Sequence, residues 1–231
     1  MSSRAATSPS LERLKRELIE AARYTAGLGY HAALAGNVSV RVSEDLLICT
    51  RHGADKGSLT PDDLVLCDLS GGKIEGKGEP TSEINMHRLA YAMRPEVKSV
   101  IHAHPPTATA FAAASVPLDQ LQLPEMLVLL GAVALVPYAT PGSDALARHL
   151  ERFLPDHDAF LLENHGALTV GRSALQAALR MELIEQNARI SLAIRHLGKP
   201  FALAPEEREI LMGFRQRMAL WACEDADEQV R

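Results

Sequence analysis

The stretch Val100-Ile101-His102-Ala103-His104-Pro105-Pro106 constrains this chain more than any other. Val97, Val100 and Ile101 make Val97 to Ala103 read as a buried strand, ended by the proline pair. Side chains alternate along a strand, so His102 and His104 share one face two positions apart. Two imidazoles held like that are half of a tetrahedral zinc site. A third histidine at a distance leaves the fourth position open for substrate. The candidate third ligand is His165, in Phe160-Leu161-Leu162-Glu163-Asn164-His165-Gly166, read as another apolar strand ending in His-Gly. Solvated or core histidines are the competing reading, and the His-x-His pair before Pro-Pro favours the metal.

A chain of 231 residues, 47% hydrophobic and 23% charged, is long enough for one large domain with an ample core. The formal net charge of -5 and the lack of a Lys/Arg cluster argue against a nucleic-acid partner. Cys49, Cys67 and Cys223 are widely spaced with no Cys-x-x-Cys, which indicates neither a disulfide framework nor a thiolate zinc site. Met1 to Ser10 is polar, with no signal-peptide core, and the apolar run Met126 to Val136 is too short to span a bilayer. A cytoplasmic protein without a membrane partner is the expectation.

The segment 1–9 is expected to be flexible. Ser10 then caps a helix to about Leu28, with Leu11, Leu14, Leu18, Ala21 and Ala22 on one face. Gly36-Asn37 is a turn into a half-buried strand carrying Val38, Val40 and Val42; the turn is either only that or a backbone close to a ligand, with the Asn37 amide donating to an anion. Leu46–Cys49 and Leu64–Leu69 read as strands, the second returning through the hairpin turn Ser70-Gly71-Gly72-Lys73 into Ile74-Glu75. Between them, His52-Gly53 and Gly57 mark a loop able to approach a ligand.

Gly78-Glu79-Pro80-Thr81-Ser82-Glu83 is the second informative stretch. Ser82 reads as the N-cap of a helix through Met86, Leu89, Ala90 and Met93. The free N–H groups there, with the Thr81 and Ser82 hydroxyls, would make an anion site, and the helix dipole would favour ionised Glu83. Glu83 and His87 are four apart on one face, so His87 either orients Glu83 or is a buried or solvated neighbour. Further helices are expected over Thr107–Ala114, Ser143–Phe153, Ser173–Leu197 and Glu206–Ala222. Met126–Val136 is a helix, a strand, or both joined at Gly131, and Ala167 to Val170 follows His165 as a strand. The longest helix is expected to bury Leu175, Leu179, Leu183, Ile190, Ile194 and Leu197. No linker divides the chain, so a single domain over 10–222 with flexible termini 1–9 and 223–231 is expected.

Four elements in order, Gly36-Asn37-Val38-Ser39, Thr81-Ser82-Glu83, His102-Ala103-His104 and Asn164-His165-Gly166, resemble the class II aldolase/adducin family, and especially its L-fuculose-phosphate aldolase-like group. The resemblance implies an α/β fold, a three-layer α/β/α sandwich with a largely antiparallel central sheet. It also implies a homotetramer with active sites between subunits. It makes His102, His104 and His165 ligands of one Zn2+ per subunit, where Mn2+, Co2+ or Fe2+ would also fit, and Glu83 the acid/base beside the metal. Asn37, Gly53, Thr81 and Ser82 match phosphate-binding positions, and His52 stands where the aldolase has a hydroxyl side chain.

The function implied is a zinc-dependent carbon–carbon lyase, an aldolase cleaving a ketose phosphate through a metal-stabilised enediolate. This chain departs from the aldolase at two places: Glu125 occupies the position of the proton-donating tyrosine, and Met218 that of a second tyrosine near the C-terminus. With Leu123, Pro124, Met126, Leu127 and Val128 around it, a buried Glu125 would prefer to be neutral and able to donate a proton. Glu125 then replaces the tyrosine, or marks a sugar-phosphate dehydratase or 4-epimerase of the superfamily, or is an ordinary helix-start glutamate. Other classes are an adducin-like interaction module without catalysis and a zinc hydrolase.

Overall fold

The structure is a computed structural model that describes residues 9–118, 123–198 and 203–228. Helix α1 (Pro9–Gly27) is followed by strands β1 (Asn37–Arg41), β2 (Leu46–Thr50), β3 (Leu64–Asp68) and β4 (Lys73–Gly76). Then come α2 (Ile84–Met93), β5 (Ser99–Ala103), α3 (Pro106–Ala113), a π-helical turn (Met126–Leu130), β6 (Val133–Val136) and α4 (Asp144–Glu151). Strands β7 (Ala159–Leu162) and β8 (Gly166–Gly171) and the long helices α5 (Ala174–Leu197) and α6 (Pro205–Glu228) complete the chain.

The eight strands form one sheet in the order β4-β3-β2-β1-β5-β8-β7-β6. Every neighbouring pair is antiparallel except β6 with β7. Alternation along the strands feeds two separate cores. Val38, Val40, Ile101, Ala103 and Ala167 pack with α1, α3 and α5 on one face. Leu47, Val100, Phe160, Leu168 and Val170 pack with Met86, Ala90 and Tyr91 of α2 and Leu146 and Leu150 of α4 on the other. The architecture is therefore the three-layer α/β/α sandwich with a largely antiparallel sheet that the resemblance implied.

Covering both faces changes two sequence expectations. Strand β1 is buried along its whole length rather than half-buried. Its polar members Ser39 and Arg41 lie under α2, where Arg41 donates to the Val97 and Tyr91 carbonyls. Helix α5 is turned so that its small face, Ala174, Ala177, Ala178 and Ala188 with Met181 and Ile184, meets the sheet. Small residues let a helix approach a sheet closely, so the leucines expected inside are displaced outward: Leu175 is 60% and Leu197 86% exposed. Helix α6 runs to Glu228, beyond the expected end at Ala222, through the start of the segment expected to be flexible. The apolar run 126–136 is both a helical turn and a strand, joined at Gly131.

Candidate metal centre and acid/base site

Strand β5 ends at Ala103, and His104 continues its line, its N–H donating to the Tyr30 carbonyl at 2.8 Å. His102 and His104 thus face the same side, with ring centroids 4.7 Å apart. His165 arrives from the β7–β8 turn rather than from a strand end. Asn164 adopts φ +50°, a left-handed conformation that asparagine tolerates, and the chain reverses there. The His165 ring then lies 4.5 Å from His102 and 5.6 Å from His104. Each of the three offers a ligand nitrogen, all within 4.8 Å of one another.

Two glycines make this convergence possible. A β-carbon on Gly166 would lie 2.7 Å from His104 Cδ2 and 3.3 Å from His102 Cε1. At Gly36, φ is +78° and a β-carbon would meet the His102 carbonyl at 2.7 Å, so only glycine lets the loop before β1 pass over the end of β5.

Glu83 reaches the same point from the start of α2. Its Oε1 is 3.1 Å from His165 Nε2 and its Oε2 3.3 Å from His102 Nε2. It occupies the N-cap position itself, where Ser82 was expected. Ser82 is exposed, and the buried Thr81 hydroxyl accepts from the Glu83 N–H at 3.4 Å. Burial pushes the Glu83 carboxyl up; positive charge at His102 and His165, which for neutral rings a bound cation would supply, and a hydrogen bond from Asn37 outweigh it and hold the group well below the usual carboxylate range. Burial lowers His102 to about 3, so its ring is neutral.

These protonation states test whether a cation fits. His102 Nδ1 donates to the Ala167 carbonyl at 2.9 Å, which leaves a lone pair on Nε2. That lone pair faces a carboxylate oxygen. Two acceptors held together without a proton repel, and a divalent cation removes the conflict. Buried atoms without a hydrogen-bond partner include His102 Nε2, His104 Nδ1, His165 Nδ1 and Glu83 Oε1, all in this cluster. The donor set fits a metal of the zinc type, and the Ala167 carbonyl is the kind of outer partner that fixes a ligating ring.

The remaining sequence candidates divide. The loop bearing His52 and Gly53 is stitched to the strand of chain before α2: Arg51 bridges Pro80, and the His52 N–H donates to the Glu79 carbonyl at 2.8 Å. Asn37, His52, Gly53, Thr81 and Ser82 therefore belong to adjoining segments near the start of α2. The Asn37 carboxamide, however, is turned to Glu83 Oε2 at 2.9 Å, leaving one N–H for a ligand. Glu125 is not buried; it is exposed on its own chain where the π-helical turn begins, apart from the histidine cluster's contacts. The buried setting that would favour a neutral carboxyl is absent because Met126 and Leu127, not Glu125, turn inward. Met218 falls in α6, with its side chain outside the described residues.

Three residues near the centre escaped the sequence reading. Ser39 and Tyr91 bond to each other at 2.6 Å beside His87. Lys56 is fully buried, its ammonium donating to the Leu34 and Ala54 carbonyls, and burial lowers it to about 8. Ser39 lies two positions from Asn37 on the strand, and Tyr91 four from His87 on the helix, so simple periodicity could have found both.

Comparison with known proteins agrees with this geometry. Residues 16–192 match the model of the class II aldolase and adducin N-terminal domain, and the chain belongs to that family. Class II aldolases are typically metal-dependent, as the histidine cluster would require. The chain is 33% identical over 78% of its length to the L-fuculose phosphate aldolase of Methanococcus maripaludis, covering 97% of that protein. It is 34% identical to the 5-methylthioribulose-1-phosphate/5-deoxyribulose-1-phosphate aldolase of Rhodospirillum rubrum, over 85% of this chain and 88% of that one. It is 32% identical to the 3-oxo-tetronate 4-phosphate decarboxylase of Escherichia coli K12, over 77% and 85%. Among solved structures, an L-fuculose 1-phosphate aldolase superposes with a TM-score of 0.81 at 30% identity, over 92% of this chain and 98% of that one. No helix among the described residues is long and apolar enough to cross a membrane.

Proposed function

We propose that this protein is a zinc-dependent aldolase that makes or breaks a carbon–carbon bond of a ketose phosphate through an enediolate. The observation that carries the reading is the Glu83 carboxylate held ionised against His102 and His165 in a buried site. Held by His102, His104 and His165, the cation supplies a Lewis acid for the substrate's carbonyl and adjacent hydroxyl. Mn2+, Co2+ or Fe2+ would suit the same three imidazoles.

In the condensation direction the Glu83 carboxylate takes a proton from the carbon next to the carbonyl, and the C–H electron pair enters the enediolate. That carbon then attacks an aldehyde, and the new alkoxide receives a proton. In cleavage the same steps reverse, and Glu83 returns its proton to carbon. The substrate's phosphate is assigned to the N–H groups and hydroxyls around Thr81 and Ser82, with the Gly53 backbone, His52 and the remaining Asn37 N–H alongside. The aldehyde proton is assigned to Glu125 of a neighbouring subunit. Exposed on its own chain, Glu125 would gain the burial that a neutral, proton-donating carboxyl needs only in such a subunit contact, and the exposed Leu175, Leu179 and Leu197 of α5 suit a homotetramer. A cytoplasmic location is part of this reading.

The similarity to a decarboxylase favours a second reading at the same site: loss of CO2 from a 3-oxo acid phosphate leaves the same enediolate for Glu83 to protonate. Proton exchange tests both. Metal-loaded protein is incubated with dihydroxyacetone phosphate in D2O and the carbon-bound protons are followed by NMR. Stereospecific exchange abolished by chelation is expected. No exchange with metal bound would overturn both readings, since both pass through that enediolate; where exchange is seen, CO2 release from the oxo acid phosphate distinguishes the decarboxylase from the aldolase.

A further inference from the structure

Behind Glu83 runs an unbroken line of buried hydrogen bonds. Asn37 Nδ2 lies 2.9 Å from Glu83 Oε2, and Asn37 Oδ1 lies 2.6 Å from His87 Nε2. His87 Nδ1 lies 2.7 Å from Ser39 Oγ, which lies 2.6 Å from the Tyr91 hydroxyl. Asn37, Ser39, His87 and Tyr91 are all buried, and His87 and Ser39 have no exposed surface.

Valence, with a neutral His87 ring, sets the direction of every bond. A carboxylate only accepts, so Asn37 must present its NH2 to Glu83 and its carbonyl to His87. His87 Nε2 must then carry the proton. Burial lowers His87 to about 4, so the ring is neutral and Nδ1 accepts. Ser39 must spend its one proton on Nδ1, and Tyr91 must donate to Ser39.

We propose that Tyr91, Ser39, His87 and Asn37 form a one-way donor relay that fixes the His87 tautomer and the Asn37 amide orientation, and so positions Glu83. Asn37 and His87 are positioning residues; neither reaches the reacting carbon. This rests on Glu83 being the acid/base group, as proposed above. The relay anchors Oε2, the carboxylate oxygen nearest His102, and leaves Oε1, which faces His165 Nε2 at 3.1 Å and takes no bond from Asn37, for proton transfer. If Ser39 cannot donate, His87 Nδ1 becomes a buried acceptor without a partner, and the ring loses the contact that holds it against Asn37. The Asn37 amide is then supported from one side only, and the hold on Glu83 Oε2 loosens.

The test begins with Ser39→Ala, which touches neither Glu83 nor the histidine cluster. The ring-nitrogen shifts of 15N-histidine-labelled, metal-free protein should report Nε2–H and a hydrogen-bonded Nδ1 for His87 in the native chain, and an Nδ1 signal moved to that of an unbonded acceptor in the variant. This readout needs no substrate, so it stands even if no aldolase or decarboxylase activity is found. In the deuterium-exchange assay kcat should fall roughly 10- to 100-fold, the usual cost of removing an orienting partner. KM and Co2+ affinity should change less than threefold, ~0.6 kcal/mol. Tyr91→Phe leaves the Ser39 proton in place and should cost less than Ser39→Ala. His87→Gln, whose amide N–H can replace Nε2–H, should recover part of what His87→Leu loses. Nδ1–H in the native His87 would overturn the relay. So would an undiminished kcat in Ser39→Ala, or equal losses for His87→Gln and His87→Leu.

Discussion

Gly166 and His104 are packed backbone against ring, with room for no atom between them: a β-carbon at 166 would lie 2.7 Å from His104 Cδ2. It would also lie 2.7 Å from the Ala103 carbonyl, so the ring cannot simply swing while the backbone holds still. Gly166→Ala should therefore displace His104 or His102 and weaken the metal centre. We expect a loss of metal affinity of about 10–100-fold with the fold retained. Competition against a chromophoric chelator, with circular dichroism as the control, checks it.

Glu83→Gln keeps the shape of the side chain and removes its charge. The three imidazoles remain, so a bound metal should still be found by elemental analysis, although its affinity will shift with the lost charge. Turnover should fall by ~10²–10⁴-fold, the usual cost of removing a positioned acid/base group. Near-normal turnover with metal bound would remove Glu83 from the chemistry.

Acid should destabilise the metal-free fold before ordinary carboxylates titrate. Burial lowers His87 and His31 to about 4 each from an ordinary 6.5. Between those values the unfolded chain binds more protons than the native one, so stability falls as pH drops from 6.5 toward 4. Above 6.5 both states are neutral at these groups and the dependence vanishes. Urea midpoints of chelator-treated protein should drop between pH 7 and pH 5, and His31→Gln should make that drop shallower.

Asp158 holds three arginines from three elements: Arg94 at 2.8 Å, Arg180 at 2.7 Å and Arg215 at 2.9 Å. Arg215 also donates to the Val128 carbonyl, which ties α6 to the π-helical turn. Burial lowers Arg180 to about 10, so it depends on its partner. Asp158→Ala should leave that cation uncompensated and cost about 3–5 kcal/mol in urea unfolding. A stability change under ~1 kcal/mol would show the cluster to be well solvated.

Much of this was legible because it is local. Hydrophobic patterning announced most of the strands and helices, and the His-x-His before two prolines announced two rings on one face. The helices expected to begin at Ser143 and Ser173 do so, each serine capping its helix by accepting from the Leu146 and Gln176 N–H groups. Where the reading failed, a long-range contact had overruled a local preference. Ser82 is a good cap in isolation, yet the chain places Glu83 there because its carboxylate bonds to Asn37 across the sheet. The leucines of α5 lost the core to alanines because small side chains let the helix lie close to the sheet.

By itself the sequence determined which residues could turn, cap, alternate and ligate, since these follow from sterics and bonding within a few residues. It also carried the order of motifs that marks the family. Only the tertiary structure decided that His165 meets His102 across the β7–β8 turn, that Asn37 serves Glu83, and that Glu125 faces outward. Those outcomes depend on distances between segments tens of residues apart, which packing sets and no local pattern encodes.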